Sequence, residues 1–179
     1  MAEKGWFAVY TRSRYEKKVR QLLKEQDIDC YLPEVAVWKQ WSDRRKKVWM
    51  PLIPSYIFVH IVLGDHHTYY SVLNTPGVVR FICFEGQAVR IPDHQVETLK
   101  HLNSQGVDMR YLPEAPPPGT PVMVERGSLK GLTGEVVRTK KNKQFLVLRI
   151  DCLDKCLMVD IPLSLVKPLK NKQEVSGRQ

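Results

Sequence analysis

Residues 51–63 read Pro51-Leu-Ile-Pro-Ser-Tyr-Ile-Phe-Val-His-Ile-Val-Leu63, and the alternation inside this stretch decides the fold. Side chains of a strand alternate faces with period two. Ile57, Val59, Ile61 and Leu63 therefore share one side, and Tyr56, Phe58, His60 and Val62 the other. The aliphatic side reads as core. The Tyr56/Phe58 side has two readings: a second core face, or a groove for another protein, because aromatic residues dominate partner anchors.

Working outward, 179 residues hold one large domain or two small ones. Charge is the unusual feature: 28 Lys+Arg against 19 Asp+Glu give +9. Such a balance attracts nucleic acid or another polyanion, or simply keeps a protein soluble. Cys30, Cys83, Cys152 and Cys156 are scattered. Cys152 and Cys156 stand four apart without a second ligand pair, so no metal site is expected and the thiols read as free and reduced. The first residues carry no apolar run of signal-peptide length. The longest apolar stretch, Ile57 to Leu63, is broken by His60 and far too short to span a bilayer. A cytoplasmic protein with no membrane partner is the expectation. There is no Gly-rich phosphate loop, His-Glu-x-x-His or nucleophile elbow. His94 and Glu97, three apart, read as a surface pair, and neither enzymatic activity nor a cofactor is expected.

Before the central strand, Trp6 to Thr11 reads as a strand with Trp6, Ala8 and Tyr10 on one side and Phe7 and Val9 on the other. Ser13 to Glu16 matches a capping box, predicting a helix to about Gln26 with Tyr15, Val19, Leu22 and Gln26 on one stripe. Arg12, Arg14, Lys17, Lys18, Arg20 and Lys24 form a basic ridge, a solvated face unless it meets nucleic acid. Residues 30–41 and 46–50 predict a hairpin with Arg44, Arg45, Lys46 and Lys47 at its tip, either solubilising or touching phosphates. Asp65 caps a predicted helix over residues 66–73, residues 78–84 read as a strand, and residues 92–102 as a helix. The first hundred residues thus predict an α+β or α/β sandwich around one sheet. Gly106, Pro113 and Pro116 to Pro118 mark residues 105–117 as a semi-rigid linker. Five short predicted strands follow, at residues 120–125, 134–139, 144–150, 155–161 and 165–169, and fit a small barrel over residues 118–170. Residues 171–179 are polar and expected to fray.

Two groups of segments resemble one family. Trp6 to Tyr10, the helix behind Glu16, Pro54 to Val59 and Pro76 to Val78 resemble the NusG N-terminal domain, placed here over residues 1–104. Gly119, Val122 to Gly127 and Leu129 to Val137 resemble a KOW motif, with Gly127, Gly131 and Gly134 read as positive-φ turn glycines between barrel strands. The resemblance covers residues 5 to about 169. It implies a mainly antiparallel N-terminal sheet flanked by helices and a five-stranded SH3-like barrel. Tyr10 to Lys18 and the basic hairpin resemble the specialised UpxY-like and RfaH-like branch.

The resemblance implies a transcription elongation and antitermination factor, acting on a chosen operon such as one for surface polysaccharide. It implies docking on the clamp helices of the largest RNA polymerase subunit through Tyr10, Pro54, Tyr56 and Phe58, with Phe84 joining them. It implies contact with the second large subunit near His67 and Thr68, where surface histidines at a helix start are the plain alternative. Arg12, Arg14, Tyr15 and Lys18 would face non-template DNA or nascent RNA, and the KOW domain would recruit a small-subunit ribosomal protein or a termination factor. A monomer is expected. The alternatives are a general NusG-type elongation factor and a KOW-type module that binds RNA or the ribosome.

Overall fold

The alternation of residues 56–61 is realised as a strand in the middle of a sheet. A computed structural model describes residues 3–41, 44–112, 119–126, 130–138, 144–150, 155–159 and 163–169. It divides into two units, one built on residues 1–106 and the other on residues 107–149 and 155–179. In chain order the first holds β1 (Gly5–Thr11), α1 (Glu16–Glu25), β2 (Cys30–Tyr31), β3 (Glu34–Gln40), β4 (Arg45–Pro51) and β5 (Tyr56–Ile61). Then come α2 (His66–Leu73), β6 (Val78–Phe81), β7 (Cys83–Phe84), β8 (Gln87–Ala88), β9 (Arg90–Ile91) and α3 (Asp93–Ser104). The second holds β10 (Met109–Leu112), β11 (Thr120–Val124), β12 (Thr133–Arg138), β13 (Gln144–Ile150), β14 (Lys155–Val159), a 3-10 turn at Leu163–Leu165 and β15 (Val166–Pro168).

The first sheet runs β2-β5-β1-β6, with β9 also paired to β1, every pairing antiparallel. Its aliphatic face carries Phe7, Val9, Ile57, Val59 and Ile61 and packs on Val19 and Leu23 of α1 and Val72 of α2. The other face carries Trp6, Ala8, Tyr10, Tyr56, Phe58 and His60. Here α3 packs on β1, burying Val96, Leu99 and Leu102, and its Lys100 ammonium lies 4.5 Å from the Trp6 ring centre. The strands β3 and β4 form a separate two-stranded ribbon, and β7 with β8 a second, smaller one.

The expected start of α1 is corrected. Ser13 makes no capping box: Tyr15 is the residue before the helix, no side chain caps it, and Arg14 holds a positive φ of 67°. Glu16, the expected capping partner, is buried and spends its carboxylate elsewhere. The buried stripe is Glu16, Val19 and Leu23, one residue round from the expected Tyr15, Val19, Leu22 and Gln26, because the chain turns in at Glu16. The expected strand at residues 78–84 breaks into β6 and β7.

The second sheet runs β10-β14-β13-β12-β11-β15. The five expected strands are present among its six, each within a residue or two of its expected bounds where described. The sixth, β10, corrects the linker: Met109–Leu112 pairs antiparallel with β14, Met109 is buried, and Leu112 packs on Val137 and Val147. Alternating apolar residues gained a partner strand there that local composition did not reveal. The prolines expected to stiffen the linker, residues 113 and 116–118, and the expected tail at 171–179 lie outside the described residues. The whole is a mixed α/β chain of antiparallel sheets and, among the described residues, three helices.

Candidate functional site

Antiparallel register lines up the aromatic face of the first sheet in rows. In the outer row Tyr10 stands opposite Tyr56 on one side and Arg80 on the other. The two tyrosine rings meet edge to face at 5.5 Å and 76°, and the Arg80 guanidinium lies 5.8 Å from the Tyr10 ring centre. Both tyrosines are half-buried and Arg80 is exposed. In the middle row Tyr31, Phe58 and Ala8 stand side by side. Phe58 is 0% exposed and stacks against Tyr31 at 6.4 Å. In the inner row His60 stacks on Trp6 at 4.7 Å, with Ile91 beyond.

Phe58 is thereby corrected from groove lining to core. It lies in the middle row of the sheet, flanked by Ala8 and Tyr31, and no part of its ring is left for a partner. Burial also pushes the Tyr31 hydroxyl up to about 12. The outer row, Tyr10 and Tyr56, keeps ring surface available, as do the half-buried Tyr31 and His60 at the sheet's β2–β5 side.

Local chemistry holds that row in place. Pro54 is exposed and leads into Ser55, whose φ is 65°. The Ser55 N–H donates to Glu16 Oε1 at 2.8 Å, and the Thr11 N–H donates to the Ser55 carbonyl at 2.9 Å. Glu16, 4% exposed, thus ties the start of α1 to the turn that launches Tyr56. The Arg12 N–H donates to the Gly77 carbonyl at 2.8 Å. Gly77 has a φ of 101°, and a Cβ there would lie 2.8 Å from Tyr15 Cδ1 and 2.9 Å from Val19 Cγ2.

The remaining expected residues disperse. Phe84 is 71% exposed on the small β7–β8 ribbon, turned by Glu85 and Gly86 at positive φ. Arg12, Arg14, Tyr15 and Lys18 are exposed around the α1 start. Tyr15 rests against Gly77, and the Lys18 ammonium stands 5.9 Å from its ring centre. Asp65 caps α2 as expected, accepting from the His67 N–H at 3.1 Å and from the Thr68 hydroxyl. These bonds, the Thr68 hydroxyl foremost, hold the Asp65 carboxyl below its ordinary range. The Thr68 hydroxyl is therefore already engaged. His66 and His67 are exposed and line a shallow cleft of about 510 Å³ with Gln26, Tyr70 and Asn74.

In the second unit Gly131 has a φ of 91°, as a turn glycine should. Gly134 does not: it lies inside β12, and a Cβ there would sit 2.8 Å from the Val147 carbonyl oxygen. Close backbone approach, not turn geometry, requires glycine at that position. Gly127 lies outside the described residues.

No cluster of His, Cys, Asp and Glu able to hold a metal occurs among the described residues. Cys30 is half-buried and Cys83 exposed, both free, while Cys152 and the Cys156 side chain lie outside the described residues. No described helix is long and apolar enough to cross a membrane. Arg80 was missed from sequence because only sheet register brings it to Tyr10. Glu16 was assigned to the wrong partner because Ser55 is remote along the chain.

A family model described as transcription termination factor NusG matches residues 4–100. The transcription termination/antitermination protein NusG of Staphylococcus carnosus is 26% identical over 93% of this chain and 96% of its own. Its counterpart in Staphylococcus aureus is 24% identical at the same coverage. Among solved structures, one of Thermotoga maritima NusG superposes with a TM-score of 0.58 at 19% identity, covering 94% of this chain and 98% of that one.

Proposed function

This chain belongs to the NusG family of transcription termination factors, and on that premise we propose that it is an elongation and antitermination factor acting on RNA polymerase. The carrying observation is the outer row: two half-buried tyrosines, edge to face at 5.5 Å, beside rows in which Phe58, Ala8 and Trp6 are buried. Tyr10 and Tyr56 bury ring surface against a helical segment of the polymerase clamp while their hydroxyls keep polar partners. Pro54 and Arg80 flank that contact. Phe84 is available to extend it, and His67 offers a contact to the second large subunit. Arg12, Arg14, Tyr15 and Lys18 grip exposed non-template DNA or nascent RNA.

No bond chemistry is involved. The protein acts as a ligand with higher affinity for the elongating than for the paused polymerase, and shifts the population accordingly. A difference of ~1.4 kcal/mol changes the pause equilibrium about tenfold. The second unit is a KOW barrel that recruits a small-subunit ribosomal protein or a termination factor. The operon-specific reading, with a polysaccharide operon as target, draws on Tyr10 to Lys18 and the basic hairpin. Transcript mapping in a deletion strain separates it from a general role, since it expects changes confined to one operon.

The direct test is an elongation assay with purified polymerase. Pause lifetimes shorten on adding the protein, and Tyr56→Ala loses the effect while its circular dichroism stays unchanged. Unaltered pause lifetimes with the native protein would refute the proposal.

A further inference from the structure

The ribbon formed by β3 and β4, with the residue that follows β3, gathers three exposed tryptophans. Trp38 is 63% exposed, Trp41 56% and Trp49 55%. Large indoles seldom stand this open unless something covers them. The surface is also strongly basic. Residues 34–51 carry five cations, Lys39, Arg44, Arg45, Lys46 and Lys47, against two carboxylates, Asp43 and Glu34, of which Glu34 pairs with α1.

Register decides how rings and charges are arranged. Trp38 stands opposite Lys47, Ala36 opposite Trp49, and Gln40 opposite Arg45, so these six share one face. Trp38 and Trp49 are therefore diagonal neighbours, about 7–8 Å apart. The Arg45 guanidinium lies 6.0 Å from the Trp38 ring centre. Lys39 faces Lys46 on the opposite side of the ribbon. Rings and cations thus interleave on one face instead of separating. A helix or ribbon made for a lipid surface segregates its apolar side from its basic side. Interleaving matches a polymer whose flat bases alternate with phosphates.

The ribbon is also held at its base. Glu34 pairs with Lys17, at 2.9 Å, and with Arg20, both on α1. The Lys17 ammonium further donates to the Trp49 carbonyl at 2.7 Å. An anchored ribbon loses less freedom on binding.

We propose that the β3–β4 ribbon binds an unpaired nucleic-acid strand, stacking bases on Trp38 and Trp49 and holding phosphates on Arg45 and Lys47. A duplex hides the ring faces of its bases, so a single strand is the occupant. Nothing in stacking or phosphate contact reads the sugar, so RNA and DNA bind alike. This surface is separate from the tyrosine row and does not depend on the polymerase reading.

The test uses the full chain with oligo(dT), oligo(U) and a matching duplex, each of about a dozen nucleotides, and reads intrinsic tryptophan fluorescence. Both single strands quench it and bind about tenfold or more tighter than the duplex. Trp38→Ala with Trp49→Ala lowers single-strand affinity about tenfold or more, with unchanged circular dichroism. Arg45→Ala with Lys47→Ala reduces the salt slope by about 1.4, two phosphates' worth. The quench survives Arg12→Ala with Arg14→Ala, which separates this surface from the α1 ridge. A preference for duplex overturns the proposal, as does undiminished affinity in the tryptophan double variant. Binding to anionic vesicles that oligonucleotides fail to displace also overturns it. So does self-association that the tryptophan variant abolishes while oligonucleotides leave it untouched.

Discussion

Tyr56 and Phe58 stand two residues apart on one face of one strand, yet they meet different surroundings. Phe58 is closed in beside Ala8 and Tyr31, whereas Tyr56 pairs with Tyr10 at the open end of the face. Phe58→Ala should therefore cost about 3–5 kcal/mol of stability, the penalty of emptying a buried phenyl site, in a denaturant titration. Tyr56→Ala should stay within about 1 kcal/mol and lose polymerase affinity in a binding assay. Glu16 is the second residue whose role is set by surroundings. Removing its carboxylate leaves the Ser55 N–H without an acceptor inside the fold. Glu16→Ala should destabilise by about 1–3 kcal/mol, and Glu16→Gln, which keeps an acceptor oxygen, by less. Alternation in residues 56–61 made both faces of the strand legible. It was silent on which ring would stay open, because that depends on α3 and β2, remote along the chain.

Among the elements, the basic ribbon depends on its attachment to α1. Burial works to raise the Glu34 carboxyl, but hydrogen bonds and charge from Lys17 and Arg20 outweigh it and leave it below the ordinary value of 4.5. The folded carboxylate thus binds its proton later than the unfolded one as pH falls. Its contribution is fully present above the unfolded value and is lost as pH drops through the lowered folded value. Amide exchange in β3 and β4 should accelerate below about pH 4.5, ahead of exchange in β1 and β5; uniform acceleration would argue against a local anchor. The capping-box motif at Ser13 shows where reading elements from local pattern goes astray. Its four residues fit, but Glu16 had a better use, closing a turn 39 positions away. Asp65 met no such competition and capped α2 as its sequence suggested.

Across the whole molecule the two units carry separate consequences. Gly134→Ala pushes a Cβ to 2.8 Å from the Val147 carbonyl oxygen and 3.0 Å from Leu146 Cδ1. It should loosen the β12–β13 pairing and raise amide exchange across β11, β12, β13, β14 and β15, while β1, β5 and α1 keep their protection. Equal loss in both units would show that they do not unfold independently. The primary structure by itself determined the family, both hydrophobic alternations, all three helices and the five strands after residue 119. The family rests on the resemblance of several short segments taken together; the alternations, helices and strands rest on local periodicity, capping chemistry or turn residues, which neighbours along the chain suffice to set. The tertiary structure alone decided that Phe58 is core while Tyr10 and Tyr56 are not, that Glu16 serves Ser55, and that residues 109–112 form a sheet edge. It also decided that Trp38, Lys47 and Trp49 share a face. These are matters of sheet register and of what covers each face, and both are set by contacts between segments far apart in the chain.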